Sequence, residues 1–181
     1  SLAAIIPDYA DRRLIAEANS PRRVGVFADV MPQNIVTVVY NYELDSVQLQ
    51  GSESPVMIDN LRRTLDPDIC KGVRIIKTLN VANIDDLKSS RQYSDHADML
   101  VFNMKSDGME GALSRSDFEL LDEYDGGLPF LAGGIAMEDL DSLKAISNPC
   151  FAGVDLNEGF ETEPGVKDIS KLKDFISLLR K

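Results

Sequence analysis

Six short apolar segments of this chain each end in a polar or glycine-bearing step. Those ends carry Asp29, Gln48 and Gln50, Lys77, Asn103, the Gly133-Gly134 pair and Asp155. A single polar residue after an apolar run is ordinary loop chemistry. Six such ends, brought to one rim, would set carboxyl, amide and ammonium groups around a common ligand. The last two steps are the most informative. Leu-Pro-Phe-Leu-Ala-Gly-Gly-Ile (128–135) and Phe-Ala-Gly-Val-Asp-Leu-Asn-Glu-Gly (151–159) are each a short apolar strand running into a glycine loop, with a helix to follow. Glycine lets backbone N–H groups approach a ligand closely, and a helix N-terminus favours an anion. Two consecutive loops of this kind form the phosphate site of many (β/α)8 barrels.

Composition narrows the ligand. The chain has 181 residues, 44% of them hydrophobic, with a net charge of −11. Its pI is near 4.5. That length and apolar content suit a single buried domain over residues 1–181. The acidic balance excludes nucleic acid, which needs a basic face, and an anionic membrane surface. A phosphate must therefore be held locally, by backbone amides and one or two cations. No apolar run is long enough to span a bilayer. Ser1-Leu-Ala-Ala-Ile-Ile-Pro is too short and uncharged for a secretory signal. Cys70 and Cys150 read as reduced thiols, so the expected compartment is the cytoplasm. His96, between Asp95 and Asp98, reads as a solvated surface histidine. Asp122, Glu123 and Asp139 read as solvated helix faces.

The elements that position the rim alternate strand and helix. Strands are expected at 23–29, 46–50, 73–79, 99–104, 128–132 and 151–156, all rich in Val, Ile, Leu and Phe, as when both faces are buried. Between them lie helical patterns. Pro32 opens one with Ile35, Val38, Val39 and Tyr42 on one face. Ser54 and Pro55 cap and open the next, carrying Ile58, Leu61 and Leu65. Asn83 caps a third with Ile84 and Leu87, and Asp117 opens a fourth with Leu120 and Leu121. Leu140, Leu143 and Ile146 make a fifth stripe. Leu172, Phe175, Ile176 and Leu179 make the last, after Asp168. A further helix over 8–18 precedes the first strand. Such alternation means a parallel sheet with right-handed crossovers. The units recur about every 25 residues, and eight of them need about 200 residues, the lower end for a (β/α)8 barrel. The expected fold is therefore an α/β TIM barrel with its third to eighth strands recognisable, and so incomplete. A six-stranded doubly wound sheet is the competing architecture.

At this point the sequence resembles a family. Val24-Gly-Val-Phe27, Val47-Gln-Leu-Gln-Gly51, Ile76-Lys77, Ala132-Gly-Gly134 and Gly153-Val-Asp-Leu156, with Gly159 and Pro164-Gly-Val-Lys-Asp168, are similar to phosphoribosylanthranilate isomerase. The resemblance implies a (β/α)8 barrel of tryptophan biosynthesis. It implies an Amadori rearrangement of N-(5′-phosphoribosyl)anthranilate, with no metal or organic cofactor. It places phosphate and substrate contacts at Gly111, Gly133, Gly134, Asn157 and Gly159, with Gln48 and Lys77 at strand ends facing the site. The candidate catalytic positions it implies are Asp155, at the family's aspartate ending the last strand, and Asn103, at the position of its general acid.

The chain also departs from the pattern. The family's base is a cysteine in a Lys-x-Cys-Gly motif on the first strand, and that motif is absent here. So is the arginine after the second strand that meets the anthranilate carboxylate. The family's general acid is an aspartate in Phe-Asp-Thr/Ser-Lys, where this chain has Phe102-Asn103-Met104-Lys105. Asn103 can donate a hydrogen bond but delivers no proton at neutral pH. The Gly-Gly-Thr/Ser-Gly loop stands here as Glu110-Gly111-Ala112-Leu113, and Glu158 replaces a small hydroxyl residue. Three readings remain open. They are an isomerase, a degenerate relative that binds a phosphorylated sugar without turning it over, and a structural subunit such as a homodimer closed through the open barrel edge.

Overall fold

The computed structural model describes residues 21–66, 70–104 and 115–180. The expected helix over 8–18 lies outside them. Six parallel strands form one sheet in the order of the chain: β1 (Val24–Phe27), β2 (Ser46–Leu49), β3 (Arg74–Asn80), β4 (Met99–Asn103), β5 (Phe130–Gly133) and β6 (Phe151–Val154). A doubly wound sheet reverses its strand order at a switch point; this sheet does not. Successive right-handed crossovers with no reversal put every helix on one face.

The two faces hold different cores. On the helix face, strand residues such as Val47, Leu49, Ile75, Leu100, Phe102, Phe130 and Val154 join Ile35, Ile58, Leu61, Leu121, Leu143 and Phe175 in one large cluster. The other face holds a small separate cluster of Ile76, Val101, Leu131 and Ala152, with Val24 and Met99 against it. A small apolar plug on the inner face and a helix-packed core outside are what a curled sheet produces. One contact settles the curvature. Gln48 on β2 and Asp155, just past β6, approach to 3.4 Å between Nε2 and Oδ2. Four strand spacings in a flat sheet would hold them roughly 19 Å apart. The sheet is thus a partial barrel, and the doubly wound alternative falls. Among the described residues no ladder joins β1 to β6, so the barrel is not closed.

Local chemistry sets the helices. For α1 (Pro32–Tyr42), Pro32 pre-sets the first turn and Glu43, at φ 47°, ends the helix in the left-handed region. Its inward residues are Ile35 and Val39, while Tyr42, in the last turn, is exposed. In α2 (Pro55–Leu65), the Ser54 hydroxyl accepts the Met57 N–H, and Ile58, Leu61 and Leu65 are buried as the spacing requires. For α3 (Ile84–Ser89), Asn83 accepts two N–H groups of the first turn. The next two are single turns, α4 (Arg115–Glu119) and α5 (Leu140–Lys144), each joined to a 3-10 turn. In α6 (Ile169–Leu179), Asp168 is the N-cap, accepting from the Lys171 N–H at 3.0 Å.

One element had no counterpart in the sequence reading. After β6 the chain makes a 3-10 turn and a small antiparallel hairpin, β7 (Glu161–Glu163) and β8 (Val166–Lys167). Phe160, entering that hairpin, is fully buried and packs edge-on against Phe175 of α6, with ring centroids 4.9 Å apart. This pair fixes the last loop to the last helix. Replacing Phe175 with Ala leaves a cavity in that joint. Chemical denaturation should show a loss of about 3–5 kcal/mol, and a loss under 1 kcal/mol would mean the joint carries little.

Candidate active site

The carboxyl ends of the strands form one rim, and strand parity decides which side chains look inward. The register pairs Asn80 with Asn103, and Asn103 with Gly133. Asp155 continues the layer, its N–H donating to Ala132 O at 2.8 Å. Below that layer, Thr78 and then Gln48, which is in register with Ile76, point the same way. The groups touch: Asn103 Nδ2 donates to Asn80 Oδ1 at 3.0 Å, and Gln48 Nε2 donates to Thr78 Oγ1 at 3.1 Å as well as to Asp155. Asp155 Oδ1 is buried with no hydrogen-bond partner among the described residues. Burial pushes the Asp155 carboxyl above the usual aspartate range, opposed by the Gln48 hydrogen bond and the more distant charge of Lys167.

The two glycine loops lie against each other. Gly134, at φ +74°, turns the chain out of β5. A Cβ on Gly159 would stand 2.2 Å from Ile135 O and 3.2 Å from Ala136 Cα, so only glycine allows this approach. Residues 133–136 and 157–159 therefore form one backbone surface. Ala136 N–H is tied to Asp139 Oδ2 at 2.8 Å. Asn157 accepts from Lys167, which also pairs with Glu161. Glu158, a repulsive neighbour for an anion, is exposed.

Lys77 departs from expectation. Its register partners are Leu49 and Leu100, both on the helix face, so it points away from the barrel interior. It is 1% exposed. Its Nζ donates to Gly51 O at 2.6 Å, Glu53 Oε2 at 3.0 Å and Leu49 O at 3.3 Å. That fills an ammonium's three donors, leaving none for a phosphate. Glu53 was not foreseen as a partner. It is buried, and its Oε1 also accepts the Asp29 N–H at 2.8 Å. Asp29 stands at φ 52°, and its Oδ1 accepts both the N–H and the hydroxyl of Ser52, which holds its carboxyl below the usual range. The pair thus joins the loops after β1 and β2 beneath the rim. Gln50 is exposed.

Other readings also shift. Asp139 is 1% exposed and caps its own turn. Asp122 accepts the N–H groups of Ser147 and Asn148, fastening the loop before β6. His96 is half-buried, with Nδ1 2.7 Å from Asp59 Oδ1. Cys70 and Cys150 are free and half-buried. Gly111 lies outside the described residues.

With this geometry in place, comparison with known proteins is decisive. The family model described as N-(5'phosphoribosyl)anthranilate (PRA) isomerase matches residues 8–178. The chain belongs to that family. The PRA isomerase of Parabacteroides distasonis is 38% identical over 162 residues, covering 89% of this chain and 70% of that protein. The phosphoribosylanthranilate isomerase crystal structure from Thermotoga maritima has a TM-score of 0.73 at 26% identity, over 93% of this chain and 78% of that one. A PRA isomerase structure in complex with reduced 1-(o-carboxyphenylamino)-1-deoxyribulose 5-phosphate shares the fold, with a TM-score of 0.70 at 23% identity over 93% and 77% of the two chains.

Removing one partner of a buried ion pair strands the other charge. Lys77→Met should therefore cost about 3–5 kcal/mol in denaturant unfolding. Lys77→Met with Glu53→Leu should cost clearly less than the two single changes summed. Additive costs would show that the groups do not act as a pair.

Proposed function

We propose that this protein is an N-(5′-phosphoribosyl)anthranilate isomerase. It converts the aminoaldose to the 1-(carboxyphenylamino) deoxyribulose phosphate by an Amadori rearrangement in tryptophan biosynthesis. The observation that carries the reading is the joined backbone surface of Gly133-Gly134 and Asn157-Gly159, which suits the substrate's 5′-phosphate. Backbone amides there can hold a phosphate without a cation of their own, which an acidic chain requires. The sugar then lies over the inner rim, above Gln48, Asn103 and Asp155. Lys77 and Glu53 act beneath, by holding the first two rim loops. Gly111 joins the phosphate contacts on family resemblance alone.

The same reading takes residues 1–181 as one domain acting in the cytoplasm on a small phosphorylated sugar–anthranilate. It uses no metal or organic cofactor and binds neither nucleic acid nor membrane. A homodimer that covers the open sheet edge is the assembly it favours. Membership in a family that includes dimeric Thermotoga maritima isomerase is consistent with this.

A second reading has its own observation. Asn103, where the family has an ionisable aspartate, is engaged with Asn80 and carries no acidic proton. On that reading the protein binds the phosphorylated sugar without turnover. Loss of anthranilate-substrate fluorescence on adding the protein separates the two, since binding alone leaves the substrate intact. Gly159→Ala tests the phosphate surface. The added methyl must push the loops apart, and overpacking of this kind costs about 1–3 kcal/mol. Titration with reduced 1-(o-carboxyphenylamino)-1-deoxyribulose 5-phosphate should show at least a tenfold weaker Kd. An unchanged Kd would move the phosphate elsewhere.

A further inference from the structure

Opening a ribose ring at neutral pH requires a proton at the ring oxygen as it leaves, and the Asn80–Asn103 couple has none to give. The other carboxyl groups near this rim are mostly committed. Asp29 Oδ1 is taken by Ser52, and Glu53 is paired with Lys77 on the helix side. Asp139 is sealed into its own turn, and Glu158 faces solvent. Asp155 differs in three ways. It is the carboxyl whose side chain reaches across the barrel mouth, as its contact with Gln48 shows. The residue is partly exposed at the rim, while its Oδ1 is buried inside the mouth. Gln48 engages Oδ2 and leaves Oδ1 without a partner.

We propose that Asp155 is the proton donor of this site, with Gln48 as its positioning residue; this rests on the isomerase reading above. The carboxylic acid, protonated on Oδ1, gives its proton to the ring oxygen. The C1′–O bond breaks and its electron pair stays on that oxygen, which becomes a hydroxyl. The lone pair of the anilino nitrogen forms the C1′=N bond. Asp155 is left as a carboxylate beside an iminium cation, which its charge stabilises. In the next step the C2′ proton leaves to solvent water and the solvent returns one proton to Asp155, so the isomerisation consumes no net proton. Burial, which favours the neutral acid, keeps more of Asp155 in the donating form near neutral pH than an exposed aspartate would be. Gln48 spends one amide hydrogen on Thr78 and the other on Asp155, so the carboxyl has one orientation.

The test compares the protein from its natural source with its Asp155→Asn and Gln48→Ala forms, by steady-state turnover across pH. Asp155→Asn should lower kcat about 10²–10⁴-fold, the usual worth of a positioned acid. KM and the Kd for reduced 1-(o-carboxyphenylamino)-1-deoxyribulose 5-phosphate should stay within about threefold, less than one hydrogen bond is worth. The fall of kcat at high pH, where the acid is spent, should vanish in Asp155→Asn and move in Gln48→Ala. Folding is not the confounder. A carboxyl raised by burial lends its stability below the unfolded pKa and loses it as the pH climbs through the folded one, so Asp155→Asn should melt no lower than the parent at pH 7. An Asp155→Asn protein that keeps a tenth or more of kcat overturns the assignment and leaves the isomerase reading standing. Loss of analogue affinity together with kcat makes Asp155 a binding group and overturns it as well. No turnover by the unsubstituted protein overturns both.

Discussion

Everything at the rim depends on the sheet's refusal to stay flat. Six strands laid down in chain order, each returned by a right-handed crossover, leave one face of the sheet without helices among the described residues. That face can be covered only by rolling the sheet onto itself. The roll makes Ile76, Val101, Leu131 and Ala152 into a plug, and it sets Gln48 within reach of Asp155 four strands away. The arrangement of the rim's polar groups is a consequence of that curvature, since no local sequence element brings those two residues together.

The outer face uses a different device. Lys77 and Glu53 bury opposite charges where apolar side chains would pack as well or better. The pair recovers its desolvation through backbone partners: Leu49 O and Gly51 O from β2 and its loop, and the Asp29 N–H from the loop after β1. Gly51 completes the joint, since a Cβ there would stand 2.6 Å from Asp29 N. The result is orientation of two loops. Hydrophobic residues could have supplied stability but not those directional bonds.

Much of this was legible in the sequence, and the misses share causes. The strand and helix alternation, the caps Ser54, Asn83 and Asp168, and the glycine loops could be read because each rests on residues adjacent in the chain. The side on which Lys77 lies could not. Strands buried on both faces show no alternation, so parity is invisible until the register is known. The Glu53 partnership was hidden for the same reason, since a loop glutamate beside a helix cap ordinarily faces water. Asp139 was misread because it caps an irregular turn, where no period marks an inward side. The β7–β8 hairpin has arms of only two or three residues, too short to leave a pattern, although Pro164-Gly165 marks its turn.

The contact between Gly159 and the Ile135 carbonyl has a consequence for how the sequence can change. Two loops that meet backbone to backbone, with no side chain between them, have no flexible part to absorb a displacement. They form one rigid body contributed by two distant stretches of chain. Substitutions on the two sides therefore interact, and a replacement harmless in one background is harmful in another. The joint is constrained as a unit, and a change in one loop must be matched in the other.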